Sequence, residues 1–355
     1  MLNFGVGLLV SVIVTLIVLG TNRYHRCFTH DDKFDGIQRY HTNPTPRIGG
    51  VVIFLGLVLV VLYNYFLNLS VDYDLNIIFS ALLVFIIGVL EDITKSITPL
   101  IRLIAFVIST VIAIYVVRAM PVISYADSNF LEQLIINYPI IGFLLSLFCV
   151  VGLTNAYNII DGYNGLSSTT AMINLLGLAI LASYVNDIAV FRISIVLCAT
   201  ILGFWLFNYP WGKIFLGDGG AYTLGFIIAV MSIYLIHVHR GLISPYAVLL
   251  LAIYPVTEMG FSIFRRKFIH RTRGMHPDNM HFHQLIYHQC VPDNARNRNA
   301  CVMPLMLIFM IPPAILAVLF YKDTAISLLS LVLYILVYIV VYFRLARFSA
   351  LRALG

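Results

Sequence analysis

Long apolar runs, following one another along almost the whole chain, set the strongest limit on what this sequence can fold into. Stretches such as Val51 to Tyr63 and Leu328 to Phe343 are apolar on every face. A strand half exposed to water alternates instead, and a membrane β-barrel is written in alternating segments of about 10 residues. Runs without a polar face belong in lipid, where a crossing helix needs roughly 20 apolar residues. Eleven such helices would occupy about 220 positions, close to the 61% of the 355 residues that are hydrophobic. Only 11% are charged, against about 25% in soluble domains, and the mean hydropathy is +0.94. The expected fold class is an all-α polytopic membrane protein. Soluble, barrel and disordered classes are excluded.

Apolar runs between polar interruptions predict spans near 4–20, 48–68, 76–90, 99–118, 136–153, 168–186, 189–208, 220–238, 243–263, 303–321 and 324–343. The start of the chain lacks the basic segment of a cleaved signal peptide, so the first run is expected to remain as a span. Eleven spans place the connections after Gly20, Leu90, Leu153, Phe207 and Ile263 on one side with the C-terminal tail. That side collects all Lys and Arg except Arg118, Arg192, Arg240 and Lys322. By the positive-inside rule it is cytoplasmic, and the N-terminus is outside. No internal repeat or linker appears, and residues 1–355 read as one membrane domain.

The formal charge of +6 and a pI near 9.0 point, in such a chain, to topology and anionic head groups and not to nucleic acid. Five cysteines, an odd number without a C-x-x-C pair, encode neither a disulfide framework nor a structural zinc site.

Polar groups concentrate in the connections of the basic side. Glu91 and Asp92 close the third span, where adjacent acids either hold a cation, act as a base, or simply end a helix in water. Asn155, Asn158 and Asp161 recur every three residues, so on a helix they share a broad face, and Gly162 and Gly165 stop that helix. Asp218 stands among glycines in Phe215-Leu-Gly-Asp-Gly-Gly-Ala-Tyr222. It is either an N-cap or a Mg²⁺ ligand beside a diphosphate, and the uncrowded loop favours the metal. The largest connection, 264–302, carries His270, His276, His281, His283 and His288 beside Arg265, Arg266, Arg271 and Arg273. Guanidinium groups match phosphate oxygens, which ranks phosphate binding above a lipid patch and above zinc. Pro44-Thr-Pro-Arg-Ile-Gly-Gly50 is an extended entry with glycines for close packing, and Arg47 is its candidate for a lipid phosphate. Glu258 lies inside the ninth span, where an ionisable group is functional by default.

Taken together, P-T-P-R-I-G-G, Glu91-Asp92, N-A-Y-N-I-I-D-G-Y-N-G, F-L-G-D-G-G and H-P-D-N-M-H-F-H occur in this order on one membrane face. The sequence resembles the polyprenyl-phosphate N-acetylhexosamine-1-phosphate transferases of glycosyltransferase family 4, from about His41 to His288. The resemblance implies a bacterial inner-membrane enzyme, active at the cytoplasmic face, that moves a sugar 1-phosphate from a UDP-N-acetylhexosamine to undecaprenyl phosphate and releases UMP. Mg²⁺ is the implied cofactor, with Mn²⁺ as a substitute, and a homodimer in membrane lipid is the expected assembly. It further implies Asp218, Asp92 and Asp161 as metal ligands and Glu91, Asp92 and Asp161 as catalytic acids. Arg47, Asn155, Asn158, Arg265, Arg266, His281 and His283 are the implied substrate-binding residues.

Three positions depart from that pattern: Glu91 for an aspartate, Asn164 for a second aspartate and Gln284 for a further histidine. The last two favour initiation of O-antigen or another surface polysaccharide over the pentapeptide-transferring cell-wall reaction. The rival class is a transporter or flippase of lipid-linked or anionic solutes, which would place its polar groups near the bilayer midplane. Here the acids and histidines gather in the cytoplasmic connections, and Glu258, within the ninth span near its cytoplasmic end, is the one exception.

Overall fold

The computed structural model describes residues 2–29, 44–117, 129–269 and 280–352. It is a helical bundle: α1 (Leu2–Gly20), α2 (Asn22–Thr29), α3 (Gly49–Phe66), α4 (Asp72–Thr94), α5 (Pro99–Val116), α6 (Asn129–Asn137), α7 (Pro139–Ile159), α8 (Leu166–Tyr184), α9 (Ile188–Asn208), α10 (Gly217–Val238), α11 (Pro245–Leu251), α12 (Ile253–Phe264), α13 (Phe282–Cys290), α14 (Val302–Leu319) and α15 (Thr324–Arg352). Among the described residues ten helices are long and apolar enough to cross a membrane, and α11 with α12 makes an eleventh if the bent pair counts as one span. The polytopic all-α expectation holds, because a backbone in lipid must bond to itself and helices do so locally.

The ninth expected span is not one rod. Its two helices meet at an angle of 81°. Pro255 accounts for the break: it has no N–H to give, and its ring would collide with the carbonyl four residues back, Leu251, which is where α11 ends. The fifth span is longer than expected, since α7 runs on to Ile159, and Asn155 and Asn158 stand on a helix as their spacing implied.

Helix α10 is the axis of the bundle, with 72% of its membrane-spanning stretch buried against 22% for α1. Its glycine-rich start lets two neighbours touch its backbone. A Cβ on Gly50 of α3 would fall 2.2 Å from Gly220 N, and one on Gly88 of α4 would fall 2.5 Å from Gly219 Cα. Small residues at crossings are what helices in lipid use to approach closely. The opposite end of the bundle is fastened by an ion pair, Arg192 Nη2 to Asp74 Oδ2 at 2.6 Å, and a hydrogen bond, His239 Nε2 to Asp187 Oδ2 at 2.9 Å.

Candidate active site

At the glycine end of α10 the connections that follow α4, α7 and α9 converge. The backbone N–H groups of Gly49 and Gly50 donate to the carbonyls of Phe215 and Leu216 at 2.9 and 2.8 Å, so the P-T-P-R-I-G-G entry is stitched to the F-L-G-D-G-G loop. Gly217 turns that loop into α10 at φ +74°, where a Cβ would strike the Arg47 carbonyl and the Asp92 carboxylate. Only glycine combines that left-handed backbone with so close an approach.

Asp218 is therefore not the cap of α10. Asp92, reaching across from the end of α4, is the acid that caps it: its Oδ1 and Oδ2 accept the N–H groups of Asp218 and Gly219, each at 2.9 Å. Four N–H groups at a helix start lack partners and favour negative charge, so this carboxylate fixes the loop on which Asp218 stands. Asp218 keeps its own carboxylate partly open. Oδ1 accepts from Asn158 Nδ2 at 2.9 Å and lies 3.5 Å from Arg47 Nη2, while Oδ2 lies 3.8 Å from Arg102 Nη1. Arg102 also donates to the Tyr222 hydroxyl at 2.8 Å. Two guanidinium groups thus flank one acid.

Asp161 lies just beyond α7, half-buried, and its carboxylate accepts no hydrogen bond from the described residues. Burial pushes it up to about 7, with the Arg47 charge opposing the rise and the Asp218 charge adding to it. A nearby cation would relieve this. Among the described residues no three His, Cys, Asp or Glu side chains close on one point. The donor set instead fits a hard cation such as Mg²⁺, which binds proteins through one or two carboxylates and takes its other oxygens from water and phosphate.

The remaining expected residues divide. Glu91 turns away and accepts the Ile97 N–H at 2.8 Å, closing the turn after α4. Asn155 donates to Val151 of its own helix at 2.8 Å and does not meet Asp218. Arg265, expected to face a diphosphate, is 2% exposed; its Nη1 donates to the Met280 carbonyl and the Tyr342 hydroxyl, both at 2.6 Å. Arg266, in the π-helical turn 265–269, keeps partial exposure and bonds back to Ser262. His270, Arg271, Arg273 and His276 lie outside the described residues.

His281 and His283 are expected to face a diphosphate, and both are buried. Their rings stack at 5.4 Å with 6° between planes. His281 Nδ1 lies 2.8 Å from Glu258 Oε1, and His283 Nδ1 lies 3.2 Å from the Tyr254 hydroxyl. His283 meets the acidic half of the site through Gly162, where a Cβ would come within 3.3 Å of its Nε2. Burial holds this imidazole down at about 4, with the Glu258 charge opposing, which keeps it uncharged at neutral pH.

The chain is similar to known proteins. The model of glycosyl transferase family 4 matches residues 75–236. The chain is 28% identical over 250 residues to the probable undecaprenyl-phosphate N-acetylglucosaminyl 1-phosphate transferase of Bacillus subtilis (strain 168), a stretch covering 69% of this chain and 66% of that protein. It is 30% identical over 201 residues to the phospho-N-acetylmuramoyl-pentapeptide-transferase of Streptococcus thermophilus (strain CNRZ 1066), covering 53% and 58%. With the enzyme of the same name from Streptococcus agalactiae serotype Ia it shares 33% over 202 residues, covering 53% and 59%. The segment 75–236, a little under half of the chain, is a glycosyl transferase family 4 segment. The chain spans no more than about two thirds of the length of these relatives.

The stretch matched by the family model holds Glu91, Asp92, Asn155, Asn158, Asp161 and Asp218; Arg47, Glu258 and both histidines lie outside it. Two departures from the family pattern have local structural roles. Gln284 Oε1 accepts the His281 N–H at 2.9 Å and so caps the start of α13. Asn164 donates its backbone N–H to Asn299 Oδ1 at 2.7 Å and its amide to the Pro210 carbonyl at 3.3 Å, tying three connections together. Sequence reading overlooked Arg102 and Tyr222 as members of the site. Their one signal was a lone arginine at the mouth of an otherwise apolar span.

Proposed function

We propose that this protein transfers an N-acetylhexosamine 1-phosphate from a UDP-sugar to undecaprenyl phosphate, releasing UMP and leaving a lipid-linked diphosphate sugar. The reaction takes place at the cytoplasmic face of a bacterial inner membrane and initiates O-antigen or another surface polysaccharide. The observation that carries this reading is Asp218, open to one side, flanked by Arg47 and Arg102 and hydrogen-bonded by Asn158.

The chemistry joins two phosphates, so like charges must be neutralised and the reactants held in line. Arg47 and Arg102 supply fixed positive charge where phosphate oxygens gather. Asp92 holds the Asp218 loop through the backbone and takes no direct part. Asp218 and Asp161 would hold Mg²⁺, which when bound supplies Lewis-acid stabilisation of phosphate oxygens. Asn158 orients Asp218, and His283, neutral, hydrogen-bonds on the Gly162 side.

A lipid acceptor also needs an apolar berth. A cavity of about 470 Å³ lies between α7, α10, α11 and α12, lined by Leu145, Phe148, Leu153, Ile233, Leu249 and Met259. It adjoins the helices that carry Asn158 and Glu258, which supports a prenyl chain entering from the membrane. The broken span resembles those of transporters, but Glu258, in its second helix, is buried and bonded to protein groups on α12, α13 and α15.

The deciding experiment incubates the purified protein in detergent with undecaprenyl phosphate, Mg²⁺ and a panel of UDP-N-acetylhexosamines, with EDTA as control. UMP release that requires both lipid and metal is expected, and the fastest donor identifies the sugar. Silence across the panel from folded protein would overturn the reading and turn attention to solute flux.

A further inference from the structure

Glu258 has 0% exposure, and its carboxylate is held by groups from three elements. His281 Nδ1 and the Phe282 N–H come from the start of α13, at 2.8 and 3.2 Å, Ser262 comes from α12 itself at 3.3 Å, and the Tyr338 hydroxyl comes from α15 at 2.9 Å. One turn further along α15, the Tyr342 hydroxyl donates to the Met280 carbonyl at 2.9 Å and accepts from Arg265 Nη1 at 2.6 Å. Residues four apart share a helix face, so the two hydroxyls act from the same side: Tyr342 holds Met280 directly, and Tyr338 reaches His281 and Phe282 only through Glu258.

Elsewhere α15 is a lipid-facing span, with Leu329, Leu333 and Leu336 more than half exposed. Anchoring in lipid requires no hydroxyl, and a buried tyrosine is tolerated when its O–H finds a partner. Tyr338 and Tyr342 are 0% and 2% exposed, and the Tyr338 ring packs on Phe282 at 4.7 Å. Tyr334, one turn before them, is the contrast: its hydroxyl is buried without a hydrogen-bond partner among the described residues.

We propose that Tyr338 is a positioning residue of the transferase: it fixes Glu258, and through Glu258 the buried pair His281 and His283, against the Asp161–Gly162 loop, while Tyr342 secures the same stretch through Met280. The last span is then part of the reaction machinery, although the family match ends at residue 236. The kinetic consequence rests on the transferase reading above; the structural one does not.

The test compares Tyr338→Phe, Tyr342→Phe and Tyr334→Phe in the full-length protein in detergent, each normalised to its folded fraction. Phenylalanine keeps the ring packing and removes only the hydroxyl. Two quantities are read: kcat and KM for both substrates in the UMP-release assay, and hydrogen exchange of the Phe282–Leu285 amides by mass spectrometry. For Tyr338→Phe we expect kcat to fall about tenfold, the scale of one lost hydrogen bond to a charged group. On this proposal the histidines contribute in the transition state and not to ground-state binding, so both KM values stay within about twofold. Exchange at 282–285 becomes faster in Tyr338→Phe, Tyr342→Phe shows the same changes to a smaller degree, and Tyr334→Phe shows none.

Exchange in Tyr338→Phe that stays at the wild-type rate overturns the proposal whatever the kinetics. A wild-type kcat, or a loss expressed in KM alone, overturns it as well. Should the unmodified protein release no UMP with any donor, the proposed function fails and exchange alone decides the brace: faster exchange confined to Tyr338→Phe and Tyr342→Phe upholds it, and unchanged exchange rejects it.

Discussion

The two halves of the site are built in opposite ways. Around Asp218 the parts are held by main chain: Asp92 on two N–H groups, Gly49 and Gly50 on two carbonyls, and glycine faces in direct contact. Around Glu258 they are held by side chains: imidazole, phenol and guanidinium on one carboxylate and one carbonyl. A backbone-built half tolerates no added atom but needs few particular functional groups. A side-chain-built half packs with more freedom, yet each of its polar groups must find its partner, because an unpaired one in a dry interior is costly. The acid left partly open is Asp218, and the buried one, Glu258, serves to hold others.

That contrast predicts where each half breaks. Asp218→Asn should reduce transfer by at least about 10³-fold, the scale of removing a charge aimed at the reacting centre, while the protein still accumulates in the membrane; wild-type activity would remove Asp218 from the catalytic set. Glu258→Gln should reduce kcat about ten- to hundredfold, less than Asp218→Asn, because the histidines lose orientation and not existence. Equal losses in the two variants would erase the distinction between the halves. Gly50→Ala, which must push the α3 and α10 backbones apart, should lower stability by about 1–3 kcal/mol, read as a lower thermal midpoint in detergent.

The smallest effect is in pH. The folded-state value of His283, held down at about 4 from 6.5 by burial, means that its contribution to stability is complete above about pH 6.5. It is lost as pH falls toward 4, because the unfolded chain takes up the proton first. His283→Gln should flatten that part of the melting-temperature profile, and a profile of unchanged slope would show that the ring is not held neutral by the fold.

Much of this was legible in the chain. The spans could be read because burial in lipid is a requirement on each run by itself, satisfied residue by residue along one helix. The residues of the Asp218 half could be read because they stand in short motifs whose glycines mark close approach. The break at Ala252 was also written, in Pro255, but the apolar residues on both sides of it conceal it from a count of hydropathy. Arg265 misled for a related reason: an arginine beside others in a polar connection reads as a phosphate ligand, and nothing near it announces that Tyr342, 77 positions later, will bury it.

What the sequence alone determined, then, is the helical, membrane-crossing character of the spans and which chemical groups are present at one end of them. Which acid stays open and which becomes a support was decided by tertiary structure. Asp92 meets the Asp218 backbone across 126 positions, and Glu258 meets Tyr338 across 80. The physical reason is that hydrophobic matching to lipid acts locally on each segment, whereas a carboxylate's role depends on which donors reach it, and those arrive from helices whose neighbours only the packed bundle assigns.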